Sequence, residues 1–251
     1  LDYLNAFYLL LDSAAIEIDH FAYFGLHEIT NRDAFRVTYE NGKVTGENIA
    51  TESIASIFQL GRYSGHYRPD LPIEQDSKIM MRQVISLNAI AHAGTLFELV
   101  VASNGLEKPL ASFAKSLAEY KVGNYETSVV LAWFIIEAAI STLWEKHLDS
   151  INDDLTGGRQ RINNGRKGFL IGRDFSTSIV SNMLELFRIL DHDLFEDIDS
   201  VRGHRNKIVH ARKFSPGTPE AQLAMKTART MIERLWNIRF TPNFSYSVSG
   251  L

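Results

Sequence analysis

The chain contains no cysteine, which excludes disulfides and thiolate zinc sites. It needs no such staple: of its 251 residues 45% are hydrophobic, and a unit of ~150 residues already buries about 70% of its unfolded surface. Metal-ligand spacing is missing as well. His20, His27, His66 and His92 are scattered among aromatics and apolar helix positions, without the clustering a metal site requires. Gly157, Gly158, Gly165 and Gly168 lie among arginines but lack the lysine-and-hydroxyl ending of a phosphate-binding P-loop, and there is no serine-centred nucleophile elbow. The expectation is chemistry without a metal or cofactor.

Targeting and membrane signals are missing too. The stretch from Leu1 to Asp12 is apolar but carries acids, no basic leader and no clear small-residue cleavage site, which argues against a signal peptide. The longest apolar run, Val129 to Ile140, is interrupted by Glu137 and is shorter than a bilayer span. A soluble, cytoplasmic protein is expected. The first residue is Leu rather than Met, which admits a longer protein upstream.

Net positive charge is also lacking. The formal charge is −4, against a surface coated in nonspecific nucleic-acid contacts. The charge is unevenly spread, however: 7 basic and 13 acidic residues precede Leu106, whereas 19 basic and 17 acidic residues follow from it. Arg159, Arg161, Arg166, Lys167 and Arg173 occupy a stretch without an acid, and Arg202, Arg205, Lys207, Arg212 and Lys213 form a second cluster. A solvated loop and an ordinary helix end are the plain readings. If the two meet in space, they form an electropositive patch of RNA size.

Apolar spacing predicts a helix from 2 to about 22, through Leu4, Phe7, Tyr8, Leu11, Ala15 and Ile18. Between β-prone segments, Asn41-Gly42 supplies the positive φ of a two-residue hairpin turn. A short helix over 49–60, an aromatic loop over 61–72 and a long helix over 77–102 follow. Tyr63, His66 and Tyr67 in that loop could stack on bases, though simple packing is the plainer reading. The segment 103–109, with Asn104-Gly105 and Pro109, is the clearest break. It divides the chain into an N-terminal α+β or mainly helical region, 1–105, and a helical bundle, 106–251, with helices near 109–122, 125–149, 176–191, 194–211 and 218–239. The pattern vanishes between 150 and 175, leaving a loop longer than a bundle needs. Thr218 is the expected N-cap of the last helix, with Pro219 at its first position. The fold class expected is mainly α.

Arg205-Asn206-Lys207-Ile208-Val209-His210 joins a fixed cationic donor to a titratable imidazole, the parts needed to cut a phosphodiester without metal. On a helix, Trp133, Glu137, Ile140 and Trp144 share one stripe, and Ile198, Val201, Arg205 and Ile208 share another. Both Glu137 and Arg205 therefore look inward. Buried charges need partners, which makes the two natural candidates for each other; a plain internal clamp would serve the same pairing. On a regular helix His210 is turned about 140° from Arg205, outward and on the face of Asn206. The plainer reading is a helix-end histidine favoured by the helix dipole. His204 lies close by.

The residues from Asp199 to Lys213 resemble the Arg-Asn-x-x-x-His signature of HEPN domains, all-α modules common in RNA-cleaving toxins and anti-phage proteins. The run Asn124 to Glu137 is similar to the second helix of that family, with an acidic residue after an apolar run. The resemblance covers roughly residues 106 to 240. It implies a HEPN-like bundle and a metal-independent endoribonuclease with Arg205, Asn206, His210 and Glu137 at its catalytic site. Arg202, Lys207, Arg212, Lys213, Arg159, Arg161, Arg166 and Lys167 would contact RNA. It further implies a homodimer in which two motif helices form one cleft. Members of the family also serve as silent dimerisation or nucleotide-binding modules, which is the alternative for this chain, and a third option is a regulatory subunit held by an antitoxin partner.

Overall fold

The structure, a computed structural model, describes residues 1–20, 28–30, 35–40, 43–49, 85–155, 158–211 and 214–244. Of the expected helix over 49–60 only Ile49 is described, at the end of a strand. The loop over 61–72 with its aromatics, His27, the Asn41-Gly42 turn, residues 77–84 of the expected 77–102 helix, Arg212 and Lys213 lie outside these residues, and the described part of that helix starts at Leu87 because Ser86 caps it.

The chain is mainly α with a small hairpin. Helix α1 spans Asp2–Asp19 and ends on His20, whose φ of 51° stops the helix in the left-handed region. Strands β1 (Phe35–Glu40) and β2 (Lys43–Ile49) pair antiparallel, with a bulge between Thr38 and Tyr39. Helix α2 (Leu87–Ala102) is capped by Ser86, whose hydroxyl accepts from the Ala89 amide at 3.1 Å, satisfying one of the orphan donors of a helix start. Gly105, at φ +82°, turns the chain into α3 (Glu107–Lys121), with Pro109 in its first turn. Helix α4 (Tyr125–Ser150) is the long central helix.

The span expected to be featureless, 150–175, is not. It holds a two-residue hairpin, β3 (Asp154–Leu155) with β4 (Arg159–Gln160), and helix α5 (Asn164–Leu170). Both elements are too short for hydrophobic periodicity to register. Helices α6 (Thr177–Leu186) and α7 (His192–Asn206) follow, then a π-helical turn over Lys207–Ala211 and helix α8 (Thr218–Trp236). The N-cap of α8 is Gly217 rather than Thr218: Glu220 accepts from the Gly217 amide at 2.8 Å, which is the acidic half of a capping box and shifts the start by one residue.

Helix α4 carries the core, burying Val129, Ala132, Trp133, Ile136, Ala139, Ile140, Trp144 and Leu148. Against it pack Leu110, Phe113 and Leu117 of α3, Val180 and Leu184 of α6, Ile198 and Val201 of α7, and Ala224, Met225, Ala228 and Ile232 of α8. By length and composition α4 could also cross a membrane, because the helix continues well beyond the apolar run that the sequence displays. Half of its most apolar window is buried inside the bundle.

The core crosses the 105/106 division. Ala6, Leu9 and Leu10 of α1 are fully buried in the same cluster, and buried Asn5 exchanges two hydrogen bonds with the backbone of Ile29, at 2.7 and 2.9 Å. The C-terminal segment closes over α1 and α3: Phe240 meets Phe113 edge to face, and the Thr241 amide donates to Ser13 Oγ at 2.6 Å.

Candidate functional site

The end of α7 builds the motif. Leu194, Ile198 and Val201 are buried and hold one stripe of the helix against α4. That stripe fixes the rotation of the next turn, so Arg205 is half-buried, its Nε enclosed without a hydrogen-bond partner among the described residues while Nη1 donates to Asn206 Oδ1 at 3.1 Å. The expected partnership with Glu137 is not formed. Glu137 Oε1 instead accepts from Thr177 Oγ1 at 2.8 Å, so the acid of α4 is held by the first residue of α6. Both stripes do face inward, but helix periodicity fixes a direction and not the height at which two helices meet.

The α-helix gives way to a π-turn at Lys207–Ala211. Bonding from residue i to i+5 winds the chain more loosely than 100° per residue. The angle between Arg205 and His210 is thereby reduced from the regular-helix value, and His210 is carried back toward the Arg205 side. Ile208 still packs against the core, while His210 and Val209 are exposed. Single π-turns inside α-helices recur at functional sites.

A contact not foreseen lies beside the motif. The His204 ring stacks on Phe214, centroids 5.5 Å apart at 16°, and the Lys207 ammonium stands 5.4 Å from the centre of the same ring. His204 Nδ1 is buried without a partner among the described residues. The loop bearing Phe214 is tied to α8 by Glu220, whose carboxyl is held below its usual range by the Gly217 amide first, by its own amide next, and to a lesser degree by nearby His204. An aromatic just before a Ser-Pro-Gly-Thr-Pro turn was the signal available for this contact. Arg202, expected to face RNA, forms an ion pair with Asp199 one turn earlier.

The other basic cluster sits elsewhere. Thr218 Oγ1 donates to the Tyr125 hydroxyl at 3.2 Å, which places the motif's exit loop at the first turn of α4. The β3–β4 hairpin leaves the opposite end, after Ser150. At 1.5 Å rise per residue, the 26 residues of α4 span about 39 Å. The described members of the two clusters therefore do not merge within one chain. Arg159, Arg161 and Arg166, with Asn163, Asn164, Gln160 and Asp154, line a concavity of about 720 Å³ beneath the hairpin. Lys167 lies aside, paired with Asp149 at 2.6 Å. Among the described residues no group of acids and histidines is placed to hold a metal ion.

Compared with known proteins, the chain finds no matching family model, curated protein or solved structure.

Proposed function

We propose that the chain is a metal-independent endoribonuclease of the HEPN type, a cytoplasmic toxin or anti-phage effector. The observation carrying this reading is the junction of α7 and the π-turn, where a guanidinium aligned by Asn206 and an exposed imidazole terminate one helix. His210 takes the proton from a ribose 2′-hydroxyl, and the freed oxygen attacks the adjacent phosphorus. The 5′-oxygen leaves and takes up a proton, giving a 2′,3′-cyclic phosphate and a 5′-hydroxyl. Imidazole is the side chain suited to proton transfer at neutral pH. Arg205 stabilises charge growing on the phosphoryl oxygens through a planar fork that lysine cannot reproduce. Asn206 orients that fork. Glu137 acts only structurally, by fixing α6 through Thr177.

In this reading the active unit is a homodimer with two motif ends across a twofold axis, the commonest symmetry of soluble oligomers. A second reading is a catalytically silent dimerisation or nucleotide-binding module, with or without an antitoxin partner; the engagement of Arg202 by Asp199 and of Lys207 by Phe214 favours it. Incubation of the purified protein with mixed cellular RNA in EDTA, followed by mapping of the ends, separates the two. Cyclic-phosphate ends lost in His210→Ala support the nuclease; intact RNA with a dimer in light scattering supports the module.

A further inference from the structure

The concavity under the β3–β4 hairpin is built differently from the motif. Arg159 has no carboxylate within ion-pair distance among the described residues, nor has Arg166, whose Nη1 donates to the Arg161 carbonyl at 3.2 Å. Arg161 is exposed and only loosely paired with Asp153, at 3.7 Å. Asp154 is the acid on the wall itself. Three guanidiniums around one hollow, weakly compensated, repel each other and attract a polyanion.

Phe169 adds a second, independent feature. It lies three residues after Arg166 on α5, hence on the same helix face, and is 57% exposed. Its ring is held in place edge-on by Phe175, at 5.6 Å and 82°. Phe175 stacks in turn on Trp144, whose indole N–H donates to the Leu170 carbonyl at 2.9 Å. An exposed aromatic ring braced by the core, one helical turn from an arginine of the cationic hollow, is the combination that binds single strands: phosphates follow the charge and a free base stacks on the ring. A duplex, whose bases are already stacked, could use only the charge. The amides of Gln160 and Asn164, on the same wall, offer donor and acceptor to a ribose 2′-hydroxyl, the group that distinguishes RNA from DNA.

We infer that the hairpin and α5 form an anchor for single-stranded RNA, separate from the motif at the other end of α4. The inference rests on the proposed nuclease reading for its choice of RNA, but the anchor requires no catalysis. It is tested by titrating labelled oligouridylate into the His210→Ala protein of 251 residues, with and without Arg159→Ala/Arg161→Ala/Arg166→Ala or Phe169→Ala. Melting curves establish that each variant is folded. The triple variant should flatten the dependence of log affinity on log salt by about 2, at roughly 0.7 per phosphate contact. Phe169→Ala should weaken oligouridylate about 5- to 150-fold and leave duplex RNA unchanged. Unaltered oligouridylate binding by both folded variants overturns the anchor. Equal binding of oligothymidylate overturns the assignment to RNA, and equal binding of polyglutamate reduces the hollow to a nonspecific anion patch. If wild-type protein leaves RNA uncut yet binds through these residues, the anchor stands and the nuclease reading falls. If RNA is cut but the variants bind normally, the anchor alone falls.

Discussion

The two ends of α4 lie beside similar basic sequences and engage them to different degrees. At the motif end the cations are engaged internally: Arg202 with Asp199, Arg205 with Asn206, Lys207 over Phe214. At the hairpin end Lys167 pairs with Asp149 and Arg161 loosely with Asp153, while Arg159 and Arg166 face a hollow without carboxylate partners among the described residues, Arg166 bonded only to the Arg161 carbonyl. A cation with a fixed partner has lost rotamer freedom in advance and is suited to positioning. One without a partner is suited to grip, with strength that falls as salt rises. The difference assigns geometry to one end and attraction to the other.

The largest effect expected would break this division. His210→Ala should reduce RNA cleavage about 10²- to 10⁴-fold, with little change in melting temperature because the side chain is exposed; a folded variant that cuts RNA at the wild-type rate removes the motif end from catalysis. Trp144→Ala should cost about 3–5 kcal/mol in urea denaturation, since the indole is 3% exposed, stacks on Phe175 and bonds Leu170. Hydrogen exchange should show α5 loosening more than α7. Uniform loosening would mean that the two ends are not separately supported. Thr177→Val should cost about 1.5–3 kcal/mol, by leaving the Glu137 carboxylate without its donor. In a double-mutant cycle Glu137→Gln should couple to Thr177→Val and add to Arg205→Ala without interaction. Coupling to Arg205 instead would restore the clamp that periodicity suggested.

These expectations also mark what could be read from the sequence. The long helices were legible because apolar residues recur on one face, and α4, α7 and α8 fall near the expected spans. The inward direction of Glu137 and Arg205 was legible for the same reason, and so was the exposure of His210. Three features were not. The hairpin and α5 are too short to show a period. The π-turn leaves no mark in hydrophobic spacing, because Ile208 reaches the core on either winding. The choice of Thr177 over Arg205 by Glu137 depends on the axial offset between helices, which residue spacing on a single helix does not encode.

The smallest effect concerns the loop that holds Phe214 against the motif. Glu220 ties this loop down by accepting from the Gly217 amide, and that bond chiefly depresses its carboxyl below the ordinary value of 4.5. A depressed carboxyl contributes stability that is fully present above the unfolded value and is lost as pH falls through the folded one. Wild type should therefore exceed Glu220→Gln in melting temperature by a constant small margin above about pH 5, and the margin should close in acid below the ordinary value. The glutamine still offers an acceptor to Gly217, so the pH-dependent part isolates the charge. It also isolates the loop, because Phe214 reaches the motif helix only through His204 and Lys207 among the described contacts. If the margin persists unchanged into acid, Glu220 acts through shape rather than charge, and the motif end owes less to electrostatic positioning than its contrast with the hairpin end implies.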